Sequence, residues 1–232
     1  MNVLVACEES QRVCTAFREK GHNAFSCDIQ ECSGGHPEWH IKGDVLNVLN
    51  PTELIGVNEF GIVFETMDGL IHDVEKWDLI VAHPPCTYFS NATMVNLGRN
   101  DHPEVFNDEW KAKFFENRKN AFDFVMKFWK ADCDKICIEN VVGYLSTHFQ
   151  KPSQYIEPYY FGDPWKKKTC LWLKGLEALK YTNVVEPIGK WVRHHKKTKD
   201  DLRGYDISGV YSSKERSKTF PGIAKAMAEQ WG

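Results

Sequence analysis

No apolar run in the 232-residue chain approaches the ~20 residues needed to cross a bilayer. The first residues also lack a charged-then-apolar leader. The expectation is a protein with no membrane partner, in the cytoplasm. Charge of one sign is not in excess either. Lys and Arg number 29 against 32 Asp and Glu, a net of −3, so nucleic-acid contact has to come from local basic clusters. Cysteine is too sparse for a disulfide-stapled domain: eight are scattered through strand-like and helix-like stretches, which reads as free thiols in a reducing compartment. Repeats and low-complexity tracts are missing. At 42% hydrophobic residues, there is enough apolar material for one domain, 1–232, burying roughly 70–75% of its unfolded surface.

Periodicity gives an α/β order. Residues 2–6 read as a buried strand, and 10–20 as a helix with Val13, Ala16 and Phe17 at helical spacing, ending at Gly21. Residues 23–29 read as a second strand, with Asp28 at its end. Strand, helix, strand in so short a span opens a parallel sheet. Residues 57–75 break this rhythm, and Met67-Asp68-Gly69 predicts an inserted β-hairpin. A continuous apolar strand follows at 78–82. A helix near 108–131 carries Trp110, Phe114, Ala121, Val125 and Phe128 on one stripe and Phe115, Phe122 and Trp129 on a neighbouring one, and the aromatics of both read as core. Strands are expected at 134–139, ending in Glu139, at 155–161 and at 169–173. A last helix starts at Pro221, with Ile223, Met227 and Trp231 on one face.

Ligands of open parallel sheets bind at the carboxyl ends of the strands. Those ends carry Cys7-Glu8-Glu9-Ser10, then Asp28, then His83-Pro84-Pro85-Cys86, then Glu139-Asn140-Val141. An acid closing the second strand suits the ribose hydroxyls of a nucleoside cofactor. No glycine-rich loop follows the first strand, so a pyrophosphate dinucleotide is not expected. Cys86 follows two prolines that remove backbone donors and stiffen the turn, presenting a thiol at the sheet edge. A thiol of pKa ~8.5 needs nearby positive potential or a base to act as a nucleophile. Cys14, Cys133 and Cys137 read instead as small buried hydrophobes. Cys27, Cys32, His36 and His40 have a zinc-like spacing, but Cys27 lies inside the second strand beside Asp28, so no metal site is expected.

Pro84-Pro85-Cys86 and Glu139-Asn140-Val141 resemble the paired signature motifs of cytosine-5 DNA methyltransferases, in the family's order. Ala82 to Thr87, Ile138 to Gly143, Lys167 to Gly175 and Glu215 to Gly232 resemble more closely a family of small phage and prophage DNA cytosine methyltransferase-like proteins, over nearly the whole chain. The resemblance implies a Rossmann-like class I methyltransferase fold, a mostly parallel twisted sheet with helices on both faces. It implies S-adenosylmethionine as cofactor, held by Cys7, Glu8, Asp28 at the ribose, Asp44 at the adenine and Phe220 of the closing motif Thr219-Phe220-Pro221-Gly222. It also implies Cys86 as the nucleophile adding to cytosine C6, and Glu139 as the acid at N3 and the exocyclic amine. Pro85, Asn140 and Lys167, with Lys168 as second choice, would lie against the substrate, though Asn140 suits holding the loop better than chemistry.

The implied partner is DNA, as a duplex with the cytosine flipped out or as a single strand, and the expected state is a monomer, in the host cytoplasm if the chain is phage-encoded. Residues 175–217 take the place of a target-recognition domain. Lys190, Arg193, His194, His195, Lys196, Lys197, Lys199 and Arg203 are interleaved there with Trp191 and Tyr205, a pattern that suits phosphate and base contacts. So short a segment implies loose sequence preference. Two other readings fit the same residues: C5 modification of a free pyrimidine nucleotide, and a catalytically silent nucleic-acid binder.

Overall fold

The computed structural model describes residues 1–49, 61–91, 107–187 and 217–232. Its elements run β1 (Asn2–Ala6), α1 (Arg12–Glu19), β2 (Asn23–Asp28), β3 (His40–Lys42), α2 (Leu46–Leu49), β4 (Ile62–Glu65), β5 (Ile71–Val74), β6 (Leu79–Ala82), α3 (Asp108–Trp129), β7 (Ile136–Val141), α4 (Leu145–His148), β8 (Gln154–Ile156), β9 (Thr169–Lys174) and α5 (Pro221–Trp231). Seven strands form one sheet in the order β3-β2-β1-β6-β7-β9-β8. β1, β2, β3, β6 and β7 run parallel, while β9 is antiparallel to both its neighbours. The chain fills the sheet outward from β1 to β3, then returns to lay β6 on the other side of β1. That reversal leaves a crevice at the carboxyl ends of β1 and β6, where α/β sheets bind ligands.

The two-residue alternation of strands divides the core. Leu4, Ala6, Ile80, Ala82, Ile136 and Ile138 face one side, with Val125 and Phe128 of α3. Val3, Val5, Leu79, Val81 and Cys137 face the other, with Val13 and Phe17 of α1 and Ile223, Met227 and Trp231 of α5. Each Val, Leu, Ile, Phe and Met among them contributes about 1.5–3 kcal/mol by leaving water. α3 begins where Asn107 accepts the Trp110 N–H at 2.8 Å, with Asp108 and Glu109 in its first turn. β4 and β5 form the inserted antiparallel hairpin, and Phe64 packs edge-on against Phe25 at 4.8 Å.

Three expectations are corrected. The strand at 134–139 begins later and runs on to Val141, so Glu139 sits inside it rather than ending it. The strand at 155–161 is only Gln154–Ile156, because Pro158 starts a short 3-10 turn over Pro158–Tyr160. Phe115 is 52% exposed, so it is not core; the buried face of α3 instead includes Arg118, whose Nε donates to the Tyr88 carbonyl at 3.1 Å. β3, α2 and α4 carry too few residues for periodicity to reveal them. No helix among the described residues is long and apolar enough to cross a membrane.

Candidate active site

The turn after β1 is held in an uncommon conformation: Cys7 and Gln11 both have positive φ, 60° and 57°. A non-glycine residue in this region costs on the order of 1–3 kcal/mol. Side chains supply what glycines would otherwise provide. Buried Glu8 accepts the Val13 N–H at 2.7 Å and the Cys14 N–H at 3.1 Å, satisfying the open N-terminus of α1. Buried Gln11 donates to the His36 carbonyl at 2.7 Å and accepts the His36 N–H at 3.0 Å. Gly34 passes so close that an added Cβ would sit 2.6 Å from the Cβ of Gln11.

Beside this turn lies a cavity of about 340 Å³ lined by Cys7, Glu8, Asp28, Gln30, His83 and Thr219, among others. Asp28 accepts the Gln30 N–H at 2.9 Å. Burial, then the charges of Asp28, Cys27 and Asp44, push the Cys7 thiol up, so it stays protonated. Asp44 therefore lies within electrostatic reach, yet it lines a different concavity together with Leu46 and Phe122. Phe220 lies over the neighbouring lysine rather than in the cavity wall, its ring 5.8 Å from Lys167 Nζ.

On the β6 side, His83 and Glu139 project from the same sheet face as Val81 and Cys137, by the alternation of β6 and β7. Their side chains meet: His83 Nδ1 lies 2.9 Å from Glu139 Oε2, at 14% and 12% exposure. The Thr219 hydroxyl donates to the same oxygen at 3.3 Å. Burial opposes charge on both partners. The imidazolium and its hydrogen bond, with Lys167 and Thr219, nevertheless hold the Glu139 carboxyl well below the usual range. Conversely, burial works against a charged His83, but Glu139 and Glu8 outweigh it and raise the imidazole above its ordinary value. His83 Nε2 is buried with no hydrogen-bond partner.

Asn140 points to the other face. It is buried, donates to the Pro84 carbonyl at 2.9 Å, and accepts the Val141 N–H at 2.9 Å. It thus anchors the proline turn to β7. Gly143 completes the clamp, because a Cβ there would strike the Phe89 carbonyl, which accepts the Tyr144 N–H at 2.9 Å. Pro85 and Cys86 are exposed at the rim. Surrounding protein still raises the Cys86 thiol, with Lys167 pulling it down and Glu139 adding to the rise. Lys167 therefore acts on Cys86, Glu139 and His83 at once. Lys168 is turned away, its Nζ 4.4 Å above the Tyr155 ring.

Cys7, Glu8, Asp28, His83 and Thr219 are thus gathered around one cavity, with Glu139 hydrogen-bonded to two of them and Cys86 and Lys167 within its electrostatic reach. Sequence reasoning missed the His83–Glu139–Thr219 cluster. The available signal was that His83 and Glu139 are each an even number of residues from a neighbour on one sheet face. The zinc-like spacing has other work: His40 is bonded through both ring nitrogens, to Ser26 at 2.8 Å and to the Gln30 carbonyl at 2.9 Å. His36 stacks on Trp39. Among the described residues no group of three metal-ligating side chains converges. The basic part of 175–217, from Lys190 to Arg203 with Trp191 and Tyr205, lies outside the described residues. No protein-family model matches the chain, and no curated protein matches it.

Proposed function

We propose that this chain transfers a methyl group from S-adenosylmethionine to C5 of cytosine in DNA, with Cys86 as nucleophile and Glu139 facing the Watson–Crick edge. The observation that carries it is the common electrostatic neighbourhood of the Cys86 thiol, the Glu139 carboxylate and the Lys167 ammonium, beside a cavity at the point where the strand order reverses. The mostly parallel sheet with helices on both faces supports a Rossmann-like class I methyltransferase fold.

The cavity residues fit the cofactor. Its volume falls in the range of ligand pockets, about 300–1,000 Å³. Asp28 would take the ribose hydroxyls, and Glu8, whose oxygens both serve α1, would contribute negative potential near the cationic end. Asp44 would act only across the β2–β3 edge. When bound, S-adenosylmethionine supplies an electrophilic methyl on a sulfonium.

The protein's own part starts with the thiol. Lys167 favours the thiolate against burial and Glu139, and that thiolate adds to C6 and makes C5 nucleophilic. Glu139 orients the ring by accepting from the exocyclic amine and stabilises it at N3 once that nitrogen carries a proton. Loss of the C5 proton then expels Cys86. A base in a duplex has to be flipped out to reach the rim.

Incubation with cofactor and DNA containing 5-fluorocytosine tests this. A covalent adduct mapped to Cys86 is expected, absent in Cys86→Ala. Adduct formation with a 5-fluorocytosine mononucleotide but not with DNA would move the substrate to free nucleotides. No adduct with either would overturn the proposal.

A further inference from the structure

Resting on that reading, one chemical problem remains at Glu139. Its Oε2 already accepts from His83 Nδ1 at 2.9 Å and from Thr219 Oγ1 at 3.3 Å. A carboxylate held by two donors only accepts. N3 of neutral cytosine is also an acceptor, so the two would repel. When sulfur adds to C6, the electron pair of the C5–C6 double bond moves into the ring and N3 becomes basic. A proton must arrive there, and Glu139 as found carries none.

We propose that His83 holds that proton and delivers it to N3 through Glu139. As the Cys86 sulfur bonds to C6, the Nδ1 proton passes to the Glu139 carboxylate. A turn of the carboxyl about its soft terminal torsion presents it to N3, leaving a neutral imidazole, a carboxylate and a protonated ring. After methyl transfer the C5 proton goes to solvent and the C6–S bond breaks. The N3 proton then returns through Glu139 to His83, so the pair is unchanged over the cycle.

The surroundings favour this. The charged groups facing His83 are Glu139 from β7, Glu8 from the turn after β1, and Lys167 ahead of β9. Against burial and Lys167, the contact with Glu139 and the charge of Glu8 favour the protonated ring. Its Nε2 is buried without a hydrogen-bond partner, so the exchange with a protein group runs through Nδ1. Asn140 and the His83 N–H, which donates to the Ala6 carbonyl at 2.9 Å, fix the ring's backbone.

The test needs two readouts. First, the His83 ring is titrated by NMR in the full chain. It is expected to lose its proton above the ordinary imidazole value, and to do so at lower pH in Glu139→Gln. A ring already neutral at pH 7 would overturn the proposal. Second, methyl transfer to DNA is measured against pH. His83→Gln keeps an N–H donor toward Glu139 but has no proton to give, so kcat should fall about 10²–10⁴-fold. The wild-type decline on the alkaline side should disappear. His83→Asn serves if the glutamine variant does not fold. Wild-type transfer with an unaffected His83 variant would sink the proton-delivery role alone. No wild-type transfer at all would sink the methyl-transfer reading beneath it.

Discussion

Glu8, in the turn after β1, and Glu139, within β7, are both buried acids beside the same imidazole, yet the fold treats them in opposite ways. Glu8 accepts from two backbone N–H groups at the start of α1. Burial wins there, and its carboxyl is raised despite those bonds and His83. Glu139 has the imidazole itself as partner, with Thr219 and Lys167 behind it, and its carboxyl is lowered. For Glu8 the two peptide N–H groups and the more distant imidazole do not offset burial, whereas for Glu139 an imidazole in direct contact, with Lys167 and Thr219, does. One acid holds the turn in shape; the other is kept charged at the rim where Cys86 stands.

Breaking the Glu8 side should have the largest effect on stability. Glu8→Ala leaves two buried N–H groups open and should cost about 3 kcal/mol. Thermal unfolding should shift down by about 6–12 °C for a chain of this size, with Glu8→Gln losing roughly a third as much. A melting temperature unchanged in Glu8→Ala would show that the capping contacts are dispensable.

The Glu139 side is sharpened by pH. His83 is raised in the fold, so its contribution is complete below the unfolded value of 6.5 and is lost as pH rises through the folded value. Glu139 is lowered, so its contribution is complete above 4.5 and is lost as pH falls. The pair should therefore stabilise most between pH 4.5 and 6.5. Denaturant unfolding of wild type against His83→Gln should differ there by about 2 kcal/mol and converge as pH rises. A constant gap across pH 5 to 9 would mean the pair is not ionic.

The smallest effect concerns the rim. Lys167→Ala should slow alkylation of Cys86 by roughly 2–5-fold at neutral pH, the size of a partly exposed charge interaction. Lys168→Ala should leave it unchanged, because that side chain lies over Tyr155. Mass spectrometry on the Cys86 peptide reads the rate, and equal effects from both lysines would erase the distinction drawn between them.

The parts of this molecule that repeat a pattern were legible. β1, α1, β2, the 62–74 hairpin, β6 and α5 fall where apolar periodicity, Asp68-Gly69 and Pro221 put them, because burial on one face imposes that periodicity locally. An acid closing an apolar run reads as a strand end, which puts Glu139 last in its strand. It lies inside β7 because β9 pairs alongside as far as Val141, a constraint set by residues about thirty positions away. Cys86 and Asp28 could be named as site residues from strand ends alone. The order of Lys167 before Lys168 rests on the resemblance alone, since adjacent residues on a strand approach differ only in which side they face.

The order of residues was therefore enough to determine an alternating α/β architecture and the set of chemical groups at its strand ends, because hydrophobic period and turn chemistry act over a few neighbours. Only the tertiary structure decided which of those groups meet. The contacts of Glu139 with His83 and Thr219 span 56 and 80 positions of sequence separation. They depend on strand order, on which sheet face each residue shares, and on where the chain before α5 returns beside β7. Those are properties of packing, which no local pattern encodes.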